Sequence, residues 1–302
     1  MKYMVAFLCV ILFVSSALAQ SVEHTVNWEK GVNKRVVKEW VVSLNKISNT
    51  GSTTYIRKKS GGEDKLHIVG HRDVIIWVPD TANLTRDFTI VLWFHGHYGY
   101  VPRRTFEDRV LKQFMPYVKS KNFVVVIPEL PWSVHTKTPA KRNSLVWQKP
   151  SSFLYFVAQV HEVLAEHFVA KGSDYAKTPP QNNVKIDYKI VGHSAGGSVI
   201  KRLGITGDLC RLGPSMVVWS DSSYGRWLDN AWDGCLKETD IPIKVLVVRN
   251  GPPHTNARRF FRRFKKKPKN VVLHVKGKGW THKLVGNNSV DISNLMNLQK
   301  KD

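Results

Sequence analysis

The sequence predicts an α/β protein, a doubly wound and mostly parallel sheet of about eight strands flanked by helices. Three observations carry that expectation. Several short runs are continuously apolar, among them Phe88–Phe94 and Phe123–Pro128, as parallel strands covered on both faces are. These runs alternate with longer segments whose apolar residues recur at helical spacing. One strand pattern, Lys185–Val191, leads into Gly192-His193-Ser194-Ala195-Gly196 and then into a helical pattern.

Taken in order, residues 1–19 of the 302 read as a secretory signal peptide: Lys2, an apolar run from Met4 to Val14, then Ser15-Ser16-Ala17-Leu18-Ala19. That is a charged start, a hydrophobic middle and a small-residue cleavage site. The run is short for a bilayer span, and Cys9 lies inside it, away from any cleavage site. The mature chain is expected to begin near Gln20, secreted or periplasmic, with no later apolar stretch of bilayer length. Residues 20–302 are expected to form a single domain, with 20–64 as an N-terminal extension. Within that extension, 21–50 reads as helical or mixed, anchored by Trp28, Val36, Val37, Trp40, Val41 and Leu44.

Strands are then expected at Thr53–Arg57 (weakly), Asp73–Val78, Phe88–Phe94, Phe123–Pro128, Lys185–Val191, Met216–Ser220, Ile243–Val248 and Asn270–Val275. Helices are expected at Arg104–Lys119, Ser151–Val169 (opening on a Ser-Ser cap), Ala195–Leu203 and Asn256–Lys267. The polar stretch Leu130–Pro150 carries Trp132, His135 and Trp147. It reads either as a lid or substrate-binding excursion or as a plain surface loop.

Cys210 and Cys235 meet an oxidising compartment if the chain is exported, which favours a disulfide over two buried thiols. Such a bridge closes a loop of about 25 residues and contributes on the order of 3 kcal/mol. Lys and Arg number 46 against 23 acidic residues, a formal net charge of +23. That excess attracts polyanions by long-range steering; cell-wall polymer, anionic lipid and lipopolysaccharide are the partners to consider. It is densest in Ala257–Lys269, where Arg258, Arg259, Arg262 and Arg263 precede four lysines, and Phe260 and Phe264 share one helical face. No nucleic-acid module accompanies it.

Strand, tight turn with serine at the apex, then helix is the arrangement of a nucleophile elbow. With the elbow after the fifth predicted strand and three strands behind it, residues 65–290 resemble the α/β-hydrolase superfamily, esterase- or lipase-like serine hydrolases. The resemblance implies Ser194 as nucleophile, followed in chain order by an acid and a histidine. His282, in the loop after the last strand, fits the base better than His254, while His274 reads as a satisfied sheet residue. The acid is expected at Asp221, where Met216–Ser220 ends, with Asp229 and Asp233 as rivals; the commoner position after Ile243–Val248 holds no carboxylate.

Oxyanion donors are expected from the backbone of Ala195 and of Gly96 or His97, and substrate contacts from His95, Tyr98, Trp132 and His193. His95-x-His97 lacks a third ligand, so neither metal nor cofactor is implied. The implied substrate is a small-molecule or polymeric acyl compound, an ester first. A peptidase or amidase acting on peptide or cell-wall substrates is the alternative chemistry, and a non-catalytic polyanion-binding protein the alternative class.

Overall fold

The computed structural model describes residues 24–26, 40–47, 51–58, 74–96, 109–128, 130, 147–165 and 184–297. The strands are β1 (His24–Val26), β2 (Trp40–Ile47), β3 (Gly51–Lys58), β4 (Val74–Pro79), β5 (Phe88–Phe94), β6 (Phe123–Pro128), β7 (Val184–His193), β8 (Met216–Ser220), β9 (Ile243–Val248) and β10 (Val271–Lys276). The helices are α1 (Ser152–Leu164), α2 (Gly197–Thr206), α3 (Asp208–Leu212), α4 (Trp227–Gly234), α5 (Pro252–Arg262), α6 (His282–Asn287) and α7 (Ser289–Ser293), with 3-10 turns at Leu111–Tyr117, Ser194–Gly196 and Leu236–Glu238.

Among the described residues one ten-stranded sheet runs β10-β9-β8-β7-β5-β6-β4-β3-β2, with β1 pairing antiparallel to the start of β7. From β6 to β10 the pairs are parallel; β4, β3 and β2 close the other end antiparallel. After β5 the chain steps outward to β6, then crosses back to β7 and proceeds the other way. The loops leaving β5 and β7 therefore part company, and a crevice opens between them at the carboxyl ends of the strands.

Both faces of the sheet are covered, which explains the continuous apolar runs. One face packs Ile90, Leu92, Phe94, Val126 and Trp219 under α1, α2, α4 and α5, through residues such as Phe153, Val199, Leu228 and Phe260. The other packs Trp77, Val91, Trp93 and Val218 under the Leu111–Tyr117 turn and α6–α7, through Phe114, Val285 and Val290. No described helix is long and apolar enough to cross a membrane.

The structure corrects three local expectations. In the extension, 24–26 and 40–47 are strands, not helix. Trp40, Val42 and Leu44 follow a period of two that also contains the i, i+4 pair Trp40/Leu44, so the helical reading rested on a coincidence of spacing. The described part of 104–119 is mainly a 3-10 turn containing Pro116, which lacks the N–H an α-helix needs there. Ser151 does not cap α1 with its side chain. The Asp208 carboxylate does so from 55 residues away, accepting from the N–H groups of Ser151 (2.8 Å) and Phe153 (3.1 Å). Asp208 is fully buried and also pairs with Arg211. Asp208→Ala is expected to cost about 2 kcal/mol, the loss of a cap that leaves buried donors unpaired; an unchanged melting temperature would refute the cap's role.

Cys210 and Cys235 form a disulfide that ties α3 to the end of α4. The loop it closes contains β8 and everything hung on its carboxyl end.

Candidate active site

Ser194 follows β7 directly and sits in the left-handed region, φ +53°. For a residue with a Cβ that conformation costs about 1–2 kcal/mol. What enforces it is the close approach on either side. A Cβ at Gly196 would stand 2.1 Å from the Phe94 carbonyl oxygen, so only glycine lets α2 start against the end of β5. The 3-10 turn Ser194–Gly196 runs straight into α2, which puts the serine at a helix N-terminus where unpaired N–H groups gather.

Asp221 is likewise left-handed, φ +45°, immediately past the end of β8. The residue is 3% exposed. Oδ1 accepts from the Val248 N–H at 3.1 Å, and Oδ2 accepts from His282 Nδ1 at 2.7 Å. With Nδ1–H committed to Asp221, neutral His282 presents Nε2 as a lone pair. The His282 side chain is 42% exposed, so that nitrogen belongs to a ring solutes can reach. An oriented imidazole with a buried carboxylate behind it, at the edge where a strained serine emerges, is the grouping that takes a proton from a hydroxyl.

His193 lies beneath this pair. Its ring stacks on His282 with centroids 4.6 Å apart, and its other side rests on the backbone of Gly286, where a Cβ would stand 2.5 Å from the ring. Gln113 in turn donates to the Gly286 carbonyl and accepts from the Val290 N–H. His193 Nδ1 donates to the Ser220 carbonyl at 3.0 Å. The sequence suggested a substrate contact here; in the structure the half-buried ring packs against His282 and Gly286. Burial, reinforced by the charge on His282, pushes His193 down to about 4. It therefore stays neutral when His282 takes a proton. The unfolded chain binds a proton near pH 6.5 that the native chain refuses until about 4. Stability is accordingly expected to fall by about 3 kcal/mol as pH drops through that window. His193→Phe should flatten this part of the melting-temperature profile; an identical profile would show that the slope has another origin.

Beside Ser194 lies Gly96, whose added Cβ would stand 2.8 Å from the serine Cβ. His95 behind it is buried. Its Nε2 accepts from the Leu130 N–H at 3.0 Å, which leaves Nδ1–H to donate to the Gly96 carbonyl at 2.7 Å. The expectation of a substrate contact from His95 is thereby corrected: both ring nitrogens are taken by backbone, and the residue shapes the loop beside the serine. His97, Tyr98, Trp132 and His135 lie outside the described residues, as do the signal peptide and Gln20. Trp147, at the end of the long loop, packs on Phe94, Phe153 and Phe156.

Sequence reasoning missed Tyr224. It lies three residues past Asp221, edge-on to His282 (6.5 Å) and to Trp227 (5.5 Å). An aromatic residue just beyond the proposed acid was the available signal, but a loop tyrosine has no periodicity to announce it.

The rivals fall elsewhere. Asp229, buried in α4, accepts from Arg259 and Arg263, both at 2.9 Å, and Asp233 accepts from Arg263 at 2.7 Å. Both lie on α4, Asp229 buried and Asp233 exposed. Two of the four arginines expected to meet a polyanion are thus engaged, while Arg258 and Arg262 are exposed. α5 begins at Pro252, earlier than expected, because prolines suit the first helical positions. His254 accepts from the Asn250 N–H at its start. His274 is on β10 as expected, but its buried Nε2 has no hydrogen-bond partner among the described residues, and burial lowers its pKa.

No protein-family model matches the chain, and no curated sequence matches it significantly. Similar solved structures include a dienelactone hydrolase from Anabaena variabilis (13% identity, 74% of this chain and 89% of that one, TM-score 0.41). Another is a cold-adapted esterase from an Arctic intertidal metagenomic library (12%, 85% and 98%, TM-score 0.46). A third is XC6422 from Xanthomonas campestris, described as an α/β serine hydrolase without lid (11%, 84% and 99%, TM-score 0.41). The fold rests on the topology itself: a parallel core reversing direction between β5 and β7, with the serine turn at that reversal.

Proposed function

We propose that the chain is a secreted serine hydrolase that cleaves an acyl bond, a carboxylic ester before an amide, through an acyl-enzyme on Ser194. The observation that carries this reading is the 2.7 Å bond from His282 to buried Asp221, at the sheet edge where Ser194 tops a strained turn. In the proposed cycle Ser194 Oγ attacks the acyl carbon while His282 Nε2 takes its proton. The imidazolium passes that proton to the departing alcohol, and water repeats the sequence in reverse to free the acid. Asp221 holds the ring in the right tautomer and offsets the transient positive charge. The Ala195 N–H, at a helix start that favours negative charge, and a second N–H from Gly96–His97 receive the oxyanion; each such donor is worth about 10²–10³ in rate.

A fluorophosphonate probe and a panel of short- and long-chain p-nitrophenyl esters beside peptidyl amides test the reading. Covalent labelling and ester turnover are expected. Turnover of amides alone moves the assignment to a peptidase or amidase. Neither labelling nor turnover leaves a non-catalytic polyanion-binding protein.

The basic segment supports an anionic partner held apart from the chemistry. α5 leaves the carboxyl end of β9 and delivers the chain to the amino end of β10. Exposed Lys265, Lys266, Lys267 and Lys269 therefore gather at the edge opposite Ser194, a strand length or roughly 20 Å away. Salt-sensitive co-sedimentation with cell walls or anionic vesicles is expected; no binding to either at low salt removes the partner.

A further inference from the structure

The His282 ring is fixed at one corner by its 2.7 Å donation to Asp221. Such a bond leaves the ring free to tilt, because hydrogen bonds accept a range of angles and the outer torsion of a histidine has no sharp well. One face of the ring is taken by His193, with centroids 4.6 Å apart and planes inclined at 28°. His193 is itself held. It stands opposite Ser220 in the β7–β8 register, and its Nδ1–H donates to the Ser220 carbonyl at 3.0 Å. The Ser220 hydroxyl shares a hydrogen bond with the Ser289 hydroxyl, which donates to the Val285 carbonyl of α6 at 2.8 Å. The strand that runs into Asp221 and the helix that begins with His282 are thus tied together beside the His193 ring. His282 and Gly286 are four residues apart and share one face of α6. His193 lies along that face. A Cβ at Gly286 would stand 2.5 Å from its Cε1, 2.6 Å from Nε2 and 2.8 Å from Nδ1, so glycine there is what admits the ring.

We propose that His193 is a positioning residue that sets the tilt of the His282 imidazole by stacking on its face. This rests on His282 being the general base for Ser194. In the proposed cycle Nε2 serves the serine oxygen, the departing alcohol and the attacking water in turn. A tilt moves Nε2 away from these oxygens while Nδ1 stays on Asp221, so the bond to Asp221 does not by itself secure the geometry. The stack does, because it opposes rotation out of the ring plane. His193, pushed down to about 4 by its burial, is neutral over the pH range of ester hydrolysis. No like charge therefore drives the rings apart when His282 becomes an imidazolium.

Two substitutions separate the ring from its hydrogen bond. His193→Asn keeps a donor for the Ser220 carbonyl but has no ring to stack. It is expected to lower kcat about tenfold or more, with KM within about threefold, because placement matters to the transition state and not to binding. His193→Phe keeps a ring and loses the donor, and its kcat is expected to stay within about threefold of the wild type. A third variant approaches from the other side of the contact. The methyl group of Gly286→Ala must displace the His193 ring, so kcat is expected to fall as in His193→Asn. Added to His193→Asn, the same change is expected to cost no more than about twofold further, since the ring it would displace is gone.

The measurement is turnover of a p-nitrophenyl ester, expressed as kcat per site titrated with a fluorophosphonate. Protein that fails to fold then drops out of the count, and a purely structural role would lower the titre but not the rate per site. The second readout is the downfield proton resonance of the His282 Nδ1–H bonded to Asp221. It is expected in the wild type and in His193→Phe, and broadened or lost in His193→Asn and Gly286→Ala. A wild-type rate per site in His193→Asn overturns the proposal. So does a His193→Phe as slow as His193→Asn, or a double variant in which the two losses multiply. If the wild-type chain neither hydrolyses the ester nor takes a fluorophosphonate on Ser194, the reading of Ser194 and His282 fails as well. If it does both and the variants match it, only the role of His193 fails.

Discussion

Ser194→Ala is expected to lower ester turnover by a factor on the order of 10⁶ and to abolish labelling by a fluorophosphonate. The size follows from the chemistry. Without Oγ no acyl-enzyme forms, and the His282–Asp221 pair has only water to activate, at no fixed position. The fold should survive, because alanine meets the same backbone strain at φ +53° that serine does. Ser194→Gly separates the two effects: it is expected to be equally inactive yet more stable by about 1 kcal/mol, since glycine adopts positive φ freely. Full labelling of Ser194→Ala would remove Ser194 from its role. A Ser194→Gly variant that melts below the wild type would show that the turn stores no strain.

Asp221→Asn is expected to lower kcat by about 10³–10⁴ with little change in stability. The Val248 N–H decides the matter. It donates to Oδ1, so an asparagine must turn its carbonyl oxygen toward Val248 and its NH₂ toward His282. His282 Nδ1 must then accept, which places the ring proton on Nε2, the nitrogen proposed to take the serine's proton. Geometry is kept and the tautomer is wrong. Asp229→Asn is the contrast: it weakens the pairs with Arg259 and Arg263, and is expected to lower the melting temperature while leaving kcat unchanged. The reverse pattern, with Asp229→Asn inactive and Asp221→Asn active, would exchange the two assignments.

Much of this was legible in the residues. β4 to β10 all lie close to their expected positions, and β4, β5, β6 and β8 are nearly continuous apolar runs because a strand covered on both faces must be apolar at almost every position. The serine turn was legible because a sharp strand-to-helix reversal demands glycine at fixed offsets. β2 was misread because its period of two contains helical spacings. The cap on α1 was missed because Asp208 lies 55 residues from the donor it serves. His95 and His193 drew attention as histidines near a serine, but nothing local says that Leu130, Gly96, Ser220 and Gly286 take up their rings.

By itself, then, the sequence determined the layered α/β architecture and the serine at its turn, since both follow from periodicity and backbone sterics within a few residues. Only the tertiary structure decided that Asp221, not Asp229, reaches His282, that His193 stacks on His282 and packs on Gly286, and that Tyr224 stands edge-on to His282. It also decided that the lysine cluster faces away from the chemistry. Those outcomes depend on which strand ends meet across the sheet and on which charges find partners, distances that no local pattern records.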